Sequence, residues 1–341
     1  MSSSALFLER LSSKVGQQLG SQNVGYLLGA GASYLNANGY PLASELWKHI
    51  ATKIPASEKA DIQSKLDGGA QGIEQALDLL DDGAATEKPH RHLVTEAIAT
   101  HFLSITPPLD IHRRFVSRLA LRQEISVPIY CLNYDSLIEL AADAERIRVV
   151  DGFLGLERPF FQPQAFQERV ALAHRGPRKP QADWRKGTLH LYKLHGSLGW
   201  FHLGGGDVRR LGLGMTTPAM AKRLMVPPQH RKATDTTAPP YAALWSDFRG
   251  QLCHGPNLLN RLVTIGYGFR DEHINAIIEN ALARGNFTLL AFAHSLTPEV
   301  FSRWSCKRNV LVVTNSKCAL YGEIGPGHPD LWSFDELTQR V

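Results

Sequence analysis

The chain reads as an α/β protein built on a Rossmann-like parallel sheet with helices on both faces. Three observations predict this class. Short apolar runs recur at residues 23–28, 127–132, 262–265, 287–292 and 310–313, each of strand length and without the polar alternation of a solvent-facing strand. Segments with apolar residues at helical spacing lie between them. Turns rich in glycine or polar residues follow several of the runs, which is where open α/β sheets face their ligands.

The elements follow in order. Residues 5–19 place Leu6, Leu8, Leu11, Val15 and Leu19 as one stripe of an amphipathic helix. The first strand, residues 23–28, runs into Gly29-Ala-Gly-Ala-Ser33, and Pro41 precedes a helix start before Trp47. Residues 43–122 are mostly helical: Ile73, Leu77 and Leu80 share one face, and residues 92–102 and 111–121 form two more helices on either side of Pro107-Pro108. A strand at 127–132 leads to a helix at 134–142. Residues 188–194 alternate apolar and polar and read as a strand, with residues 200–203 as an antiparallel addition. The strand at 262–265 precedes a glycine turn and a helix whose Ile274, Ile277, Ile278 and Ala281 face one way. Residues 287–292 and 310–313 complete a strand–helix–strand alternation. Three stretches break this rhythm and read as loops or parts of an inserted subdomain: basic residues 169–193 with Pro177 and Pro180, glycine-rich residues 204–214, and residues 227–240.

Of the 341 residues, 43% are hydrophobic and 20% charged, as in ordinary globular chains. No stretch of about 18 apolar residues is present, so no membrane span is expected. The first ten residues lack the pattern of a secretory leader, and a cytoplasmic location is expected. The four cysteines, Cys131, Cys253, Cys306 and Cys318, contain no CxxC pair. Free thiols and no metal site are expected. The net charge of +5 permits weak attraction to polyanions. Arg175, Arg178, Lys179, Arg185 and Lys186 are either a nucleic-acid contact or a solvated loop.

Four elements can carry chemistry. In Gly29-Ala-Gly-Ala-Ser33, small residues after a strand leave backbone N–H groups free to face a phosphate pair, and Ser33 adds a hydroxyl. A hydride-transfer dinucleotide fold would need a third glycine and an acidic residue about 20 positions on, and neither is present. In Cys131-Leu-Asn-Tyr-Asp135, Asn133 can orient a water or ribose hydroxyl and Asp135 can hold a ribose or fix Asn133. Helix capping is the competing use: Asn133 or Asp135 can be an N-cap, and Ser136-Leu-Ile-Glu139 matches a capping box. In Lys193-Leu-His-Gly-Ser197, His195 can act as a general base and Gly196 permits close backbone approach. In Gly266-Tyr-Gly-Phe-Arg-Asp-Glu-His-Ile-Asn275, a glycine turn can receive the adenosine half of a dinucleotide, and Asp271 can equally be a plain N-cap.

In this order and spacing the four elements resemble the sirtuin-like (silent information regulator) family, most closely its prokaryotic branch of NAD-hydrolysing antiphage defence effectors. The resemblance implies NAD as substrate, with Asn133 and His195 catalytic. It implies a nucleotide site formed by Gly29, Ala30, Gly31, Ser33, Asp135, Gly196, Ser197, Gly266, Tyr267, Asp271 and His273. The four-cysteine zinc module of the family's deacylases is absent, and Tyr40-Pro-Leu-Ala-Ser44 stands where they carry Asp-Phe-Arg. These departures favour NAD hydrolysis over deacylation. They imply one domain over residues 1–341, with a mainly helical insertion at about 44–122 in place of the zinc module and loop-rich insertions at about 151–187 and 204–240. By the same resemblance, a homo-oligomer and a HerA-like ATPase or Argonaute-like partner are expected. A non-catalytic NAD- or nucleic-acid-binding assembly subunit is the alternative from another class.

Overall fold

A computed structural model describes the chain except residues 1–2, 71, 82–88, 123, 125, 169–170, 175–180, 185–186, 205, 219–220 and 226–238. Nine strands form the main sheet. They are β1 (Val24–Leu28), β2 (Ser126–Cys131), β3 (Val149–Val150), β4 (Thr188–Lys193), β5 (Arg261–Ile265), β6 (Thr288–Phe292), β7 (Val310–Val313), β8 (Lys317–Leu320) and β9 (Glu323–Pro326). Their order across the sheet is β9-β8-β7-β6-β5-β1-β2-β4-β3. Pairing is parallel from β7 to β3, and β8 and β9 add an antiparallel edge. β1 is central, and the chain leaves it toward β2 before returning to its other side as β5. This reversal opens a crevice at the carboxyl ends of β1 and β5, the place where such sheets take ligands.

The strand pleat explains why these runs are apolar throughout. Tyr26, Leu28, Ile129, Cys131, Leu191 and Ile265 face Leu11 and Val15 of helix Ser3–Leu19, Phe115 and Leu119 of helix Asp110–Ala120, and Ile138 and Ala141 of helix Leu137–Ala144. Leu27, Tyr130, Tyr192, Leu262 and Leu289 face Leu244, Trp245 and Phe248 of helix Tyr241–Arg249 and Ile274 and Ile278 of helix Glu272–Leu282. Both faces are therefore covered, as expected for parallel strands buried on two sides. The helices predicted at 5–19, 92–102 and 111–121 occur as Ser3–Leu19, Pro89–Leu103 and Asp110–Ala120.

A third core lies beside the sheet. Helices Ala43–Ile50, Ala56–Asp67, Ile73–Asp81 and Pro89–Leu103 close around Leu46, Ile50, Ile62, Leu77, Val94, Ile98 and Phe102, and this core extends to Leu137, Leu198 and Met225. Helix Asp110–Ala120 instead shares the core of the main sheet.

The stretches read as loops contain further strands. Lys222–Met225, Gly196–His202, Val208–Arg210, Phe160–Phe161 and Phe153–Leu154 form a second, antiparallel sheet in that order. The antiparallel addition expected at 200–203 begins earlier, at Gly196, directly after His195. Within the stretch read as basic loop, Ala171–His174 pairs with Gln181–Trp184. Arg175, Arg178, Lys179, Arg185 and Lys186 lie outside the described residues.

Two glycine-bearing turns meet backbone to backbone. The N–H of Gly29 donates to Ile265 O at 2.9 Å and that of Gly31 to Gly266 O at 3.0 Å. A Cβ at Gly31 would stand 2.7 Å from Gly266 Cα, and one at Gly266 would stand 2.5 Å from Gly31 Cα. Gly266 also has φ +62°, which disfavours any side chain.

Two outcomes follow from this packing. Gly31→Ala should lose about 1–3 kcal/mol, the usual cost of forcing atoms into a packed site, read as a lower midpoint in denaturant. The second concerns His112, buried edge-on to Phe334 at 5.2 Å. Burial pushes its pKa from 6.5 down to about 4, with the Asp135 charge opposing. The unfolded chain therefore binds a proton that the folded chain does not between pH 6.5 and about 4. Stability should fall as pH drops through that window, and His112→Phe should flatten the slope in a melting-temperature series.

Candidate active site

The four turns that follow β1, β2, β4 and β5 close on one another as a ring of contacts. Asn133, after β2, donates through Nδ2 to Gly29 O at 2.9 Å and to Ser33 Oγ at 2.7 Å. This ties the second turn to the first. Tyr134 O accepts from Leu198 N at 3.0 Å and from Ser197 Oγ at 3.4 Å, tying the second turn to the third. His195 Nε2 lies 3.4 Å from Asp271 Oδ2, tying the third to the fourth. The Gly29–Ile265 and Gly31–Gly266 bonds return the fourth to the first.

Each side chain is held by local structure. Asp271 caps helix Glu272–Leu282, its Oδ1 accepting from His273 N at 3.1 Å. Its other oxygen faces His195, and both side chains are 7% exposed. The turn around them is braced from within. The Tyr267 hydroxyl is 3.1 Å from both Asp271 O and Asn275 Oδ1, and Asn275 Nδ2 donates to Phe269 O at 2.9 Å. The Tyr267 ring packs on Phe269 in the core, while His273 is exposed. Gly196 has φ +81°, and a Cβ there would stand 2.1 Å from Leu224 O. Ser33, Asp135 and Ser197 are buried. Ala30 is exposed, in the short helix Ala30–Tyr34 that Gly29 precedes.

The capping box expected at 136–139 is not formed. Helix Leu137–Ala144 begins with Asp135 Oδ1 accepting from Leu137 N at 3.1 Å, and Ser136 makes no side-chain cap. Glu139 is drawn instead to Lys193, 3.4 Å away. Lys193 is 1% exposed, and its Nζ also donates to Asp135 O. Burial alone would lower the lysine's pKa. Glu139, Cys131 and Asp135 act together against that larger effect, Glu139 foremost among them, and hold it above its usual range. Burial raises the Glu139 carboxyl, with Lys193 opposing. Cys131 pairs with Lys193 in the sheet, and burial pushes its thiol up to about 12, so it fills space rather than acting as a nucleophile.

Among the described residues, the Oδ2 of Asp135 and the Nε1 of Trp245 are buried without a hydrogen-bond partner. Trp245 stands over His195 with ring centroids 6.3 Å apart and beside His273 at 6.2 Å. The sequence reading missed both Lys193 and Trp245. Tyr241, Leu244, Trp245 and Phe248 recur at helical spacing, a signal that could have revealed their helix. Lys193 was marked only by ending a strand whose other positions are buried.

Residues 129–312, just over half of the chain, match the model of the SIR2-like domain. The chain belongs to the SIR2-like domain family. SIR2-like domains use NAD, and the mixed α/β architecture with its large, mainly parallel sheet agrees with that fold. The matched span covers the turns after β2, β4 and β5. The turn after β1 precedes it in the chain, and the contacts above bring it to the same crevice. No curated protein matches the chain. Among the described residues, no helix is long and apolar enough to cross a membrane, and no group of three or more His, Cys, Asp or Glu is placed to hold a metal.

Removing the buried cation tests the support beneath this SIR2-like site. Lys193→Met should cost about 3 kcal/mol or more, as when one member of a buried pair is deleted. Adding Glu139→Gln should recover part of the loss, with both read from denaturant midpoints.

Proposed function

We propose that this SIR2-like chain hydrolyses NAD at the bond between nicotinamide and ribose, releasing nicotinamide and ADP-ribose. The observation that carries this reading is the ring of contacts joining Asn133, His195 and Asp271 with the glycine turns at one sheet edge. Support for a nucleotide there comes from the crevice at the reversal of strand order and from the buried, unpartnered Asp135 Oδ2 and Trp245 Nε1. Such groups suit a ligand's hydroxyl donors and oxygen acceptors.

Water replaces nicotinamide at the ribose carbon. The pair of electrons in the broken bond leaves with the pyridine nitrogen, neutralising it, and water's second proton is lost to a base. Positive charge grows on the ribose before the new bond is complete. His195 acts as general base toward the water or a ribose hydroxyl. Asn133 holds the first turn through Nδ2, and its Oδ1, to which no described residue donates, accepts from the water or a ribose hydroxyl. Asp135 contributes a buried acceptor for the ribose. Gly29, Ala30, Gly31 and Ser33 lie along the pyrophosphate, and Gly266 near the adenosine. Gly196 and Ser197 complete the nucleotide site next to His195.

The cellular role in this reading is antiphage defence by NAD depletion in the cytoplasm, by a homo-oligomer under the control of a trigger or partner such as a HerA-like ATPase or an Argonaute-like protein. Its support is the resemblance of the four motifs to the prokaryotic branch of the family.

Incubation with NAD, alone and with lysate from phage-infected cells, should yield equal amounts of nicotinamide and ADP-ribose. His195→Ala should lower the rate by about 10²–10⁴-fold, the contribution of one positioned acid–base group, and Asn133→Ala should abolish most turnover. Full activity in both variants overturns the assignment. Acyl transfer from an acyl-lysine peptide to ADP-ribose would indicate a deacylase instead.

A further inference from the structure

Helix capping explains only half of what Asp271 does. An N-cap needs one acceptor oxygen, and aspartate, asparagine and serine serve nearly equally well. Asp271 spends Oδ1 on that task and directs Oδ2 to His195 at 3.4 Å. Both side chains are buried, and the indole of Trp245 lies beside the imidazole. In so dry a setting, a carboxylate acts on its neighbour far more strongly than in water. Its backbone is fixed as well: Asp271 O is 3.1 Å from the Tyr267 hydroxyl and accepts from Asn275 N at 3.0 Å.

We propose that Asp271 is the positioning residue of His195. The ring nitrogen facing Asp271 carries the proton, so the other nitrogen presents its lone pair as the base. When that nitrogen takes a proton, the carboxylate stabilises the imidazolium. The same carboxylate fixes the start of helix Glu272–Leu282, so the orientation of the base is tied to the turn that meets Gly31. This inference rests on the reading of His195 as the base. It assigns Asp271 to the histidine rather than to the adenosine.

Asp271→Asn separates the two tasks. Asparagine has one carbonyl oxygen for two donors. With that oxygen capping His273 N, its amide N–H₂ faces His195 and favours the opposite tautomer. Long-range proton–nitrogen NMR on histidine-labelled protein reads the tautomer without turnover, with His195→Gln identifying the signal. The expected result is one tautomer in the wild type and the reversed one in Asp271→Asn. With NAD, kcat should fall about 10²–10⁴-fold while KM stays within a few-fold. A plain cap would leave both readouts unchanged, and either an unchanged tautomer or a retained kcat in Asp271→Asn overturns the proposal. If Asp271→Asn does not fold, Asp271→Ser, which keeps a capping oxygen, is measured in its place and should lose the tautomer preference. If the wild type cleaves no NAD even with the infected-cell lysate, the hydrolase reading fails, and the NMR result alone decides the pairing.

Discussion

The site depends on a contact that admits no side chain. The turns after β1 and β5 touch through Gly29, Gly31 and Gly266, with each Cβ position falling within 3 Å of the opposing backbone. The two amide hydrogen bonds across this contact make the turns one unit. A larger residue at any of the three would push the turns apart. Everything that faces the crevice inherits its position from this approach of two backbones.

Beneath the crevice lies a second constraint, of opposite character. Lys193, Glu139, Asp135 and Asp151 bring charge into the interior where the main sheet hands the chain to the second one. Desolvating such groups is costly, and their mutual attraction offsets it only with good geometry. Here each charge also fastens an element. Lys193 joins β4 to the turn after β2, Arg210 joins Asp151 to the second sheet, and Arg223 joins that sheet to Glu96 on helix Pro89–Leu103. These contacts tie the turn after β2, the second sheet and helix Pro89–Leu103 to one another around the site.

Much of the main sheet was legible because two-sided burial leaves a direct trace in sequence, as in Val24–Leu28 or Val310–Val313. The second sheet left less of a trace, with Gly196–His202 legible only in part, as residues 200–203. Phe153–Leu154 and Phe160–Phe161 are too short to show a period, and Val208–Arg210 is largely basic. The glycines of residues 29–31 were visible, but their reason was not. Of the N–H groups expected to face a phosphate pair, those of Gly29 and Gly31 are donated to the neighbouring turn. Glu139 looked like a capping residue because its partner, Lys193, is near only in space. Pairings such as His195 with Asp271 have no local signature at all, since they join separate turns.

The position of β1 governs when the site comes into being. The strand is made early and stands at the centre of the sheet, yet Tyr26 must await Ile129 on one side and Val24 must await Arg261 on the other. Contacts so distant along the chain form slowly and late. A ribosome-bound chain ending at Ile265 already holds Asn133 and His195, but lacks both the glycine that closes the first turn and the carboxylate beside the histidine. A half-made copy has these two side chains without the turn that joins them, so the ring of contacts closes only once Gly266 and Asp271 are in place.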